Sequence, residues 1–504
     1  MLPIEFFRRA VLQRQDRIAL EDSRQRVSFA ELAHRVDAIA AALQDRIHTA
    51  EARVGLCATN SIDHVTALLA CLAAGMIWVP LNPRLGKAEL EAVLTLARPD
   101  LVLCEDGCRD RLPDWDGPIA RLAPQTNGPS GPCATDWLRH YAGKRPASSL
   151  RDPSATQAIK FTSGSSGKPK GVVQSCRSWN AHAASIAQAF GFAEDERFLA
   201  AAPITHGTSC FLLPVLAAGG TIVVGESPKP DAILAALAER EVTATYLTPT
   251  MIYNLLSEPS VREGAFSRMR HLIYSGAPMR LEQIRETLAV FPGALETCYG
   301  QAEAPQIISY MRGHDFMDPA NHGSVGFPGL LAQVGILDET MHPLTAGKIG
   351  EICVRGDLIA DGYLDNPEAE AEAFREGWLR TGDLGRLDGN GRLWIEGRKK
   401  DVIISGGFNI HPKDVENALG RHPAVLECTV FGVEDPKWGE AVHAAIELHA
   451  EAKADERELI DFVKRTLDSV KAPKRIHIVD SLPRNAVGKI MRREAKAMVM
   501  EPAE

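Results

Sequence analysis

Residues 162–171 read Thr-Ser-Gly-Ser-Ser-Gly-Lys-Pro-Lys-Gly and follow a short apolar stretch, Ala158-Ile159-Lys160-Phe161. Glycines let a backbone approach a ligand closely, and exposed amides and hydroxyls can surround an oxyanion. We therefore interpret residues 162–171 as a phosphate-binding loop. The loop points to ATP chemistry.

The loop differs from the phosphate loop of GTPases and motor proteins. Counted back from Lys168, the first glycine of that motif is replaced by Thr162, and the Ser or Thr that should follow the lysine is Pro169. A stretch rich in Ser, Gly and Lys is also typical of a flexible surface loop. The rest of the chain has to decide between these interpretations.

Composition and charge narrow the class of protein. The chain has 504 residues, too many for one core, and a net charge of −9 offers no basic field for nucleic acid or an anionic membrane. The ten cysteines are scattered and have no matching histidine cluster, so neither a zinc site nor a disulfide framework is expected. A reduced, cytoplasmic setting fits this pattern.

The longest uncharged run extends from Val65 to Pro83. Gly75 and Pro80 divide it into a predicted helix and a predicted strand, so we expect no integral membrane segment.

Helical patterns alternate with short β-rich runs along the first three hundred residues, roughly. The clearest predicted strands are Arg53–Cys57, Met76–Val79, Leu101–Cys104, Thr221–Val224 and Leu272–Ser275. This alternation predicts an α/β fold with largely parallel sheets.

Two changes of pattern divide the remainder. Beyond Gly323 short strands and turns predict a small antiparallel subdomain, with residues 348–356 as its clearest strand. After Gly397 the charged segment 398–401 precedes a new strand, a Gly-Gly turn and a helix opened by Pro412. We therefore predict two domains, residues 1–398 and 399–504.

Four further segments complete a pattern with the loop: residues 299–303 (Tyr-Gly-Gln-Ala-Glu), 381–383 (Thr-Gly-Asp), 397–401 (Gly-Arg-Lys-Lys-Asp) and 483–489 (Pro-Arg-Asn-Ala-Val-Gly-Lys). Their order and spacing resemble the adenylate-forming superfamily of acyl-CoA synthetases, carrier-protein adenylation domains and luciferases. Residues 406–412 (Gly-Gly-Phe-Asn-Ile-His-Pro) resemble its CoA ligase branch in particular.

The resemblance implies a large N-terminal domain of stacked mixed sheets and helices, with a small antiparallel subdomain, and a small mobile α+β C-terminal domain. It also implies a reaction in which ATP activates a carboxylic acid to an acyl-adenylate, which CoA then converts to acyl-CoA with release of AMP. The implied substrates and cofactors are the acid, ATP, CoA and Mg²⁺. The choice between a monomer and a homodimer stays open.

By the same resemblance, ATP and AMP contact residues from four segments. The expected ATP and AMP ligands are Thr162, Ser163, Gly164, Ser165, Ser166, Gly167, Lys170, Gly276, Ala277, Pro278, Tyr299, Gly300, Asp383 and Arg398. A flat ring suits adenine, and a carboxylate can accept hydrogen bonds from both ribose hydroxyls. Taken alone, Asp383 would be an ordinary turn residue.

Glu303 is the expected Mg²⁺ anchor, because this hard cation takes few protein carboxylates beside nucleotide phosphates and water. The family usually has Thr or Ser before this glutamate, where the chain has Ala302. One hydroxyl on the phosphate side is therefore missing.

Three further expectations concern the two half-reactions. Lys489 would offset charge while the carboxylate attacks ATP. By resemblance, the C-terminal domain would then rotate about a hinge at Lys400 and present Gly406 and Gly407 along a pantetheine channel.

His206 resembles the residue that closes the acid pocket, and we expect it to act as a gate or wall rather than a proton shuttle. Tyr246, Tyr274 and Cys298 are expected to line the acid pocket. These side chains favour a monocarboxylic acid with an apolar tail or ring, although one basic residue would reverse that preference.

Two alternatives remain. An adenylation enzyme could load a separate acyl or peptidyl carrier protein, although the chain has no carrier segment with a serine attachment motif. A regulatory protein could bind ATP without turnover, but the presence of Lys489, Glu303 and Asp383 argues against it.

Overall fold

The computed structural model describes residues 1–113, 115–122, 133–147, 151–163, 169–262, 264, 266–485 and 488–500. Residues Gly164, Ser165, Ser166 and Gly167 of the predicted phosphate loop lie outside the described residues.

Helices and strands alternate through the first two thirds of the chain. The helices here are α1 (Glu5–Gln13), α2 (Phe29–Arg46), α3 (Ile62–Ala74), α4 (Lys87–Ala97), α5 (Ala134–His140), α6 (Cys176–Phe190), α7 (Ser209–Ala218), α8 (Pro230–Glu239), α9 (Pro249–Leu256) and α10 (Leu281–Val290). The strands are β1 (Ile18–Glu21), β2 (Arg26–Ser28), β3 (Arg53–Cys57), β4 (Ile77–Leu81), β5 (Leu101–Cys104), β6 (Ile119–Arg121), β7 (Thr156–Ser163), β8 (Pro169–Ser175), β9 (Arg197–Ala200), β10 (Thr221–Val224), β11 (Ala244–Leu247), β12 (His271–Tyr274), β13 (Leu295–Gln301), β14 (Ala304–Met311) and β15 (Phe327–Pro328).

The next segment is mostly antiparallel. It contains β16 (Gln333–Leu337), β17 (Gly350–Arg355), β18 (Gly362–Tyr363), α11 (Pro367–Ala373), β19 (Phe374–Arg375), β20 (Trp378–Leu387) and β21 (Leu393–Arg398). Strands β16, β17, β19, β20 and β21 form one antiparallel sheet, which confirms the predicted subdomain. Strand β18 joins a different sheet, beside β8.

A separate sheet forms in the last hundred residues, roughly a small domain in size. Its elements are β22 (Ile403–Ser405), β23 (Phe408–Ile410), α12 (Pro412–Leu419), β24 (Val425–Asp435), β25 (Gly439–Leu448), α13 (Glu456–Thr466), β26 (Arg475–Val479) and α14 (Arg492–Met500). They enclose their own core, which includes Ile403, Val415, Val442 and Leu459. This C-terminal part is α+β, as expected.

Two large mixed sheets form the N-terminal domain. One has nine strands in the order β15-β14-β13-β12-β11-β9-β10-β1-β2, and the other has seven in the order β18-β8-β7-β4-β3-β5-β6. Most neighbouring strands run parallel. One continuous core contains apolar residues from both sheets and from α2, α3, α6 and α7.

The run from Val65 to Pro83 illustrates why the sequence analysis succeeds for many elements. Helix α3 ends before Gly75, whose φ of 69° is the left-handed conformation that glycine adopts readily, and β4 follows. No helix among the described residues is long and apolar enough to cross a membrane.

Candidate active site

The carboxyl ends of β11, β12 and β13 lie at one edge of the nine-stranded sheet, because these strands run parallel. The segment Gly276-Ala277-Pro278 follows β12 after Ser275, and Gly276 and Pro278 are exposed there. The φ of Gly276 is 87°, a conformation that glycine adopts without strain, which explains why a glycine occupies this position. Ligands of α/β folds bind outside the carboxyl ends of strands, so this segment lies at a suitable place for adenine.

Asp383, Tyr299 and Arg398 come together beside that edge. The Tyr299 hydroxyl donates to Asp383 Oδ2 at 2.6 Å, and Arg398 Nε lies 3.5 Å from Asp383 Oδ1. Burial raises the pKa of Asp383, while the Arg398 guanidinium and the Tyr299 hydrogen bond oppose that rise. Three residues selected from separate segments thus form one polar cluster.

Glu303 occupies the tight turn between β13 and β14. Its Oε1 accepts a hydrogen bond from the Tyr363 hydroxyl at 2.7 Å, and its carbonyl oxygen accepts from the Ala360 amide at 2.7 Å. Lys170 Nζ lies 5.4 Å from the centroid of the Tyr363 ring. Tyr363, which the sequence analysis missed, therefore connects the last lysine of the loop to Glu303.

The turn that carries Lys489, which we call the Lys489 turn and define by Asn485, Gly488 and Lys489, packs against the N-terminal domain. Within the turn, the Asn485 amide donates to the Lys489 carbonyl and the Lys489 amide donates to Asn485 Oδ1, both at 2.9 Å. Thr250 Oγ1 donates to the Gly488 carbonyl at 2.9 Å. A side chain of the N-terminal domain thus holds the turn in place.

Basic and acidic groups surround the half-buried Lys489. Burial and the Arg398 guanidinium lower its pKa to about 8, and Asp383 opposes this effect. Among the described residues no carboxylate lies within ion-pair distance of Lys489 Nζ.

Lys400 is the central residue of the short turn Lys399–Asp401, which connects β21 to β22. On one side of it, Arg398 pairs with Asp383 of the N-terminal domain. On the other side, Asp401 pairs with Arg492 of α14. The chain changes its partner domain within these four residues, which agrees with a hinge there.

Gly406 and Gly407 form the two-residue turn between β22 and β23, in which Ser405 pairs with Phe408. Their φ values of 58° and 83° are those of a type I′ hairpin turn, which favours glycine at both positions. Both are exposed, and a Cβ built on Gly407 would meet no described atom within 4 Å. A Cβ built on Gly406 would instead lie 3.0 Å from the Trp438 ring, and the narrow passage beside both glycines stays a prediction.

His206 lies in the distorted turn Ile204–Thr208. Its Nδ1 is 3.0 Å from Thr205 Oγ1. Burial and the nearby Lys160 ammonium lower the pKa of His206 to about 4, so the ring is neutral at pH 7. A neutral ring fits a gate or wall better than a proton shuttle.

Two of the three other residues expected in the acid pocket share one face of the nine-stranded sheet. Tyr246 and Cys298 belong to the core between the sheets, where the Tyr246 ring stacks on Phe211 with centroids 5.2 Å apart. Tyr274 is the exception. It belongs to the core on the opposite face, with its ring centroid 6.2 Å from that of Phe316.

Tyr274 therefore lies on the opposite face of the sheet from Tyr246 and Cys298, and its place in the acid pocket stays a prediction. Tyr246 pairs with Ile273 in register, so the next residue along β12 points to the other side of the sheet. The sequence alone does not indicate that Thr250 contacts Gly488 or that Gln306 lies beside Tyr246, because these contacts join residues distant in sequence. Both residues lie shortly after a strand or a tight turn, and that position is the sequence feature that could have indicated them.

Comparison with known proteins gives a consistent result. The family model for the AMP-binding enzyme matches residues 7–364, and the model for its C-terminal domain matches residues 414–489. The chain is 32% identical over 483 residues to a feruloyl-CoA synthase of Amycolatopsis sp., and the alignment covers 93% of each chain. It is 36% identical over 358 residues to the medium/long-chain-fatty-acid–CoA ligase FadD8 of Mycobacterium tuberculosis, an alignment that covers 70% of this chain and 62% of that relative.

A solved structure is similar throughout. The o-succinylbenzoate CoA synthetase MenE of Bacillus subtilis, in complex with its acyl-adenylate intermediate, superposes with a TM-score of 0.86 at 29% identity and covers 97% of both chains. With the described cluster and the matches over nearly its full length, the chain belongs to the AMP-binding enzyme family, in the branch of acid–CoA ligases that form an acyl-adenylate and then acyl-CoA.

Proposed function

We propose that this chain activates an acid with an aromatic ring or a short apolar tail, and that Lys489 and the Gly406-Gly407 turn serve successive half-reactions. This assignment to two half-reactions rests on the different positions of Lys489 and the Gly406-Gly407 turn. Lys489 lies beside Asp383 and Arg398, whereas Gly406 and Gly407 are exposed. The stacked Tyr246 and Phe211 rings support an acid of this class.

The first half-reaction joins a carboxylate oxygen to the α-phosphorus of ATP and releases pyrophosphate. Lys489 would offset the negative charge that two anions bring together. Asp383 would accept hydrogen bonds from the ribose, and Tyr299 would orient Asp383 through the hydrogen bond to Oδ2. The Thr162–Gly167 segment and Lys170 would surround the phosphates.

Glu303 fits a Mg²⁺ site. It is a carboxylate held in one orientation by the Tyr363 hydroxyl, and Mg²⁺ needs only one or two such protein ligands beside phosphate and water. When bound, the cation would neutralise charge on the leaving pyrophosphate.

The second half-reaction breaks the acyl–phosphate bond and forms a thioester with CoA, while AMP leaves. A thiol has to reach the acyl carbon from a side that Lys489 now occupies, so the C-terminal domain would rotate about Lys400. Asp401 pairs with Arg492 of α14 and would therefore move with the C-terminal domain. This supports a pivot that precedes Asp401 in the chain. Domains 1–398 and 399–504 would move as units.

A pyrophosphate-release assay tests this proposal. Purified protein is given ATP, Mg²⁺ and a panel of aromatic, short aliphatic and long aliphatic acids, with CoA, with a pantetheinylated carrier protein, or with no acceptor. We expect turnover with CoA and an aromatic or short acid. Turnover only with the carrier protein would support the carrier-loading alternative, and no release with any acid would overturn the proposal.

The compartment is a further part of the proposal. All ten cysteines are free, and nine of them are buried. This favours a reducing environment such as the cytoplasm. Thiol titration of protein purified under anaerobic conditions, before and after unfolding, should count ten reactive thiols only after unfolding.

A further inference from the structure

Lys160 is a half-buried lysine on a strand face that otherwise packs into the core between the two large sheets. On β7, Ile159 and Phe161 pack into the core on one face of the seven-stranded sheet, whereas Ala158 belongs to the core on the other face. Side chains alternate along a strand, so Lys160 shares the inner face with Ala158. A lysine in such a place needs polar partners for its ammonium.

The contacts of the Lys160 ammonium identify that partner. Lys160 Nζ donates a hydrogen bond to Ser209 Oγ at 2.9 Å. It also lies 5.2 and 5.6 Å from the ring centroids of the buried Trp78 and Trp179, within the range of a cation–π contact. The ammonium pairs with no carboxylate of the described residues, so the Ser209 hydroxyl is its closest polar partner.

The chemistry of an ammonium fixes the direction of these hydrogen bonds. An ammonium can only donate, so Ser209 Oγ accepts from Lys160 and directs its own proton to another acceptor. That acceptor is the His206 carbonyl, which lies 2.7 Å from Ser209 Oγ. Lys160, the Ser209 hydroxyl and the His206 carbonyl thus form a relay of defined direction, which we call the Lys160 relay.

The Lys160 relay ends where the turn Ile204–Thr208 departs from helical geometry. His206 has a φ of −121° and a ψ of −136°, and Ser209 is the first residue of α7. The Ser209 amide also donates to the His206 carbonyl. Both donors of one serine therefore fix the backbone of His206, and the backbone in turn restricts the directions that its ring can take.

The beginning of the same turn has separate support. Asn60 Nδ2 donates to the carbonyls of Ala200 and Ala202, both at 2.9 Å, and Asn60 Oδ1 accepts from the Ile204 amide at 3.0 Å. These contacts end two residues before His206. The Lys160 relay therefore acts on the part of the turn that carries the expected gate.

We propose that Lys160, acting through Ser209, is a positioning residue for the His206 gate and thereby sets the affinity for the acid substrate. Lys160 itself would not touch the acid. The inference rests on the proposed function and deepens it, because it adds two residues to the first half-reaction that no sequence motif indicates.

Variants of Ser209 test the Lys160 relay by steady-state pyrophosphate release. Ser209→Ala removes the hydroxyl, and we expect the KM for the acid to rise by about tenfold, because a hydrogen bond to a charged group is lost. The KM for ATP and thioester formation from synthetic acyl-adenylate should stay as in the wild type. Ser209→Thr keeps a hydroxyl and should keep the KM for the acid close to the wild-type value.

Variants of Lys160 test the other end of the relay. Lys160→Met keeps a long unbranched side chain beside the tryptophans and removes the ammonium, so the KM for the acid should rise as in Ser209→Ala. Combining the two substitutions should add little, because each breaks the same relay. Lys160→Arg keeps a donor-only cation and should recover part of the affinity. Lys144→Met is the matched control, since the Lys144 ammonium lies 4.5 Å from the Tyr141 ring centroid in the same domain, and it should behave as the wild type.

A second measurement reports on the gate without turnover. Histidine ring signals are recorded by NMR on isotope-labelled protein, and the signal of His206 is assigned from its absence in His206→Gln. We expect this signal to shift in Lys160→Met and in Ser209→Ala, and to stay in place in Lys144→Met.

The two measurements separate the possible failures. An unchanged His206 signal in both relay variants overturns the inference. Equal losses for acid and ATP, or additive effects in the double variant, assign a merely structural role to Lys160 and Ser209 and overturn it as well. In these cases turnover by the wild type leaves the proposed function standing. No pyrophosphate release by the wild type with any acid rejects the proposed function and the inference together.

Discussion

Two turns of the C-terminal domain each contain a glycine with the same φ but have very different surroundings. Gly488 of the Lys489 turn and Gly407 of the β22–β23 turn both have a φ of 83°. A Cβ on Gly488 would lie 3.6 Å from the Thr250 side chain of the N-terminal domain, whereas one on Gly407 would meet no described atom within 4 Å. The two turns therefore differ in their contacts: the Lys489 turn packs against the N-terminal domain, and the β22–β23 turn does not at Gly407.

The contrast indicates which half-reaction this arrangement suits. Lys489 is held near Asp383 and Arg398, while Gly406 and Gly407 lie in solvent. One rigid arrangement cannot present both turns to the same acyl group. We infer that the present arrangement suits adenylate formation and that thioester formation needs another.

Removal of the Lys489 side chain is expected to have the largest effect. Lys489→Ala should lower acid-dependent adenylate formation by on the order of a hundredfold or more, because it removes the charge that offsets two reacting anions. Thioester formation from synthetic acyl-adenylate should persist. Single-turnover assays of each half-reaction measure both effects.

The exposed Lys453 of the same domain offers a matched control. Lys453→Ala should leave both half-reactions unchanged. If a folded Lys489→Ala variant lost both half-reactions, the two turns would not serve separate steps.

Restriction of the hinge is expected to have the next largest effect. Lys400→Pro fixes φ and should slow thioester formation by roughly tenfold or more, since about 1.4 kcal/mol of strain gives that factor. Adenylate formation should fall less. It should be unchanged if the backbone of Lys399 tolerates a following proline. Lys400→Ala removes the charge but leaves φ free, so near-normal thioester formation is expected there. Equal rates in the proline and alanine variants would place the hinge elsewhere.

The pKa of Lys489 predicts that the rate of adenylate formation depends on pH. Because that pKa is about 8 rather than 10.5, adenylate formation should decline by about tenfold per pH unit above 8. Lys489→Arg should abolish this decline, since a guanidinium stays charged. A wild-type profile that stays flat to pH 9.5, roughly one unit and a half past the pKa, would contradict the assignment.

The same shift has a consequence for stability. The folded state disfavours the charged ammonium, so between about 8 and 10.5 the unfolded chain binds more protons. This group should therefore make the free energy of unfolding rise with pH across that window, whereas the catalytic rate falls.

The contact from Thr250 to the Gly488 carbonyl should have a smaller effect. Thr250→Val removes one hydrogen bond worth about 1 kcal/mol, so adenylate formation should fall by roughly fivefold while thioester formation from synthetic adenylate is unchanged. Ser257→Ala, just after the same helix α9, removes a hydrogen bond within the N-terminal domain and serves as the control. Equal losses in both half-reactions would show that Thr250 stabilises the fold rather than the docking.

Local sequence predicted the scaffold better than the site. Strands at Arg53–Cys57, Leu101–Cys104 and Thr221–Val224 were predicted with their observed bounds, because short apolar runs between turn residues contain the information that a buried strand needs. Gly75 likewise separates a helix from a strand through its own backbone. The boundary between the two domains at residues 398 and 399 stays a prediction.

The site depended on pairings that local sequence does not contain. Alternation along β12 places Tyr274 and Ile273 on opposite faces, but which of the two shares a face with Tyr246 follows only from the pairing with β11. Tyr363 contacts Glu303 from sixty residues away, and Thr250 contacts Gly488 from still farther along the chain. A sequence motif indicated Glu303, whereas its partner Tyr363 could be identified only in the folded structure.

Substitution of Gly407 is expected to have the smallest effect and to sharpen the contrast most. Ala and Leu at a φ of 83° are strained by about 1 kcal/mol, and Asn is strained less, so the free energy of unfolding should fall in Gly407→Ala and Gly407→Leu and change less in Gly407→Asn. Adenylate formation should be normal in all three, because position 407 is exposed and a Cβ there meets no described atom within 4 Å. If the turn lines the thiol path in a second arrangement, only Leu should also slow thioester formation. Rapid-quench measurement of that step decides the matter, because equal slowing by Ala and Leu would trace the effect to backbone strain, and no slowing by Leu would place the thiol path elsewhere.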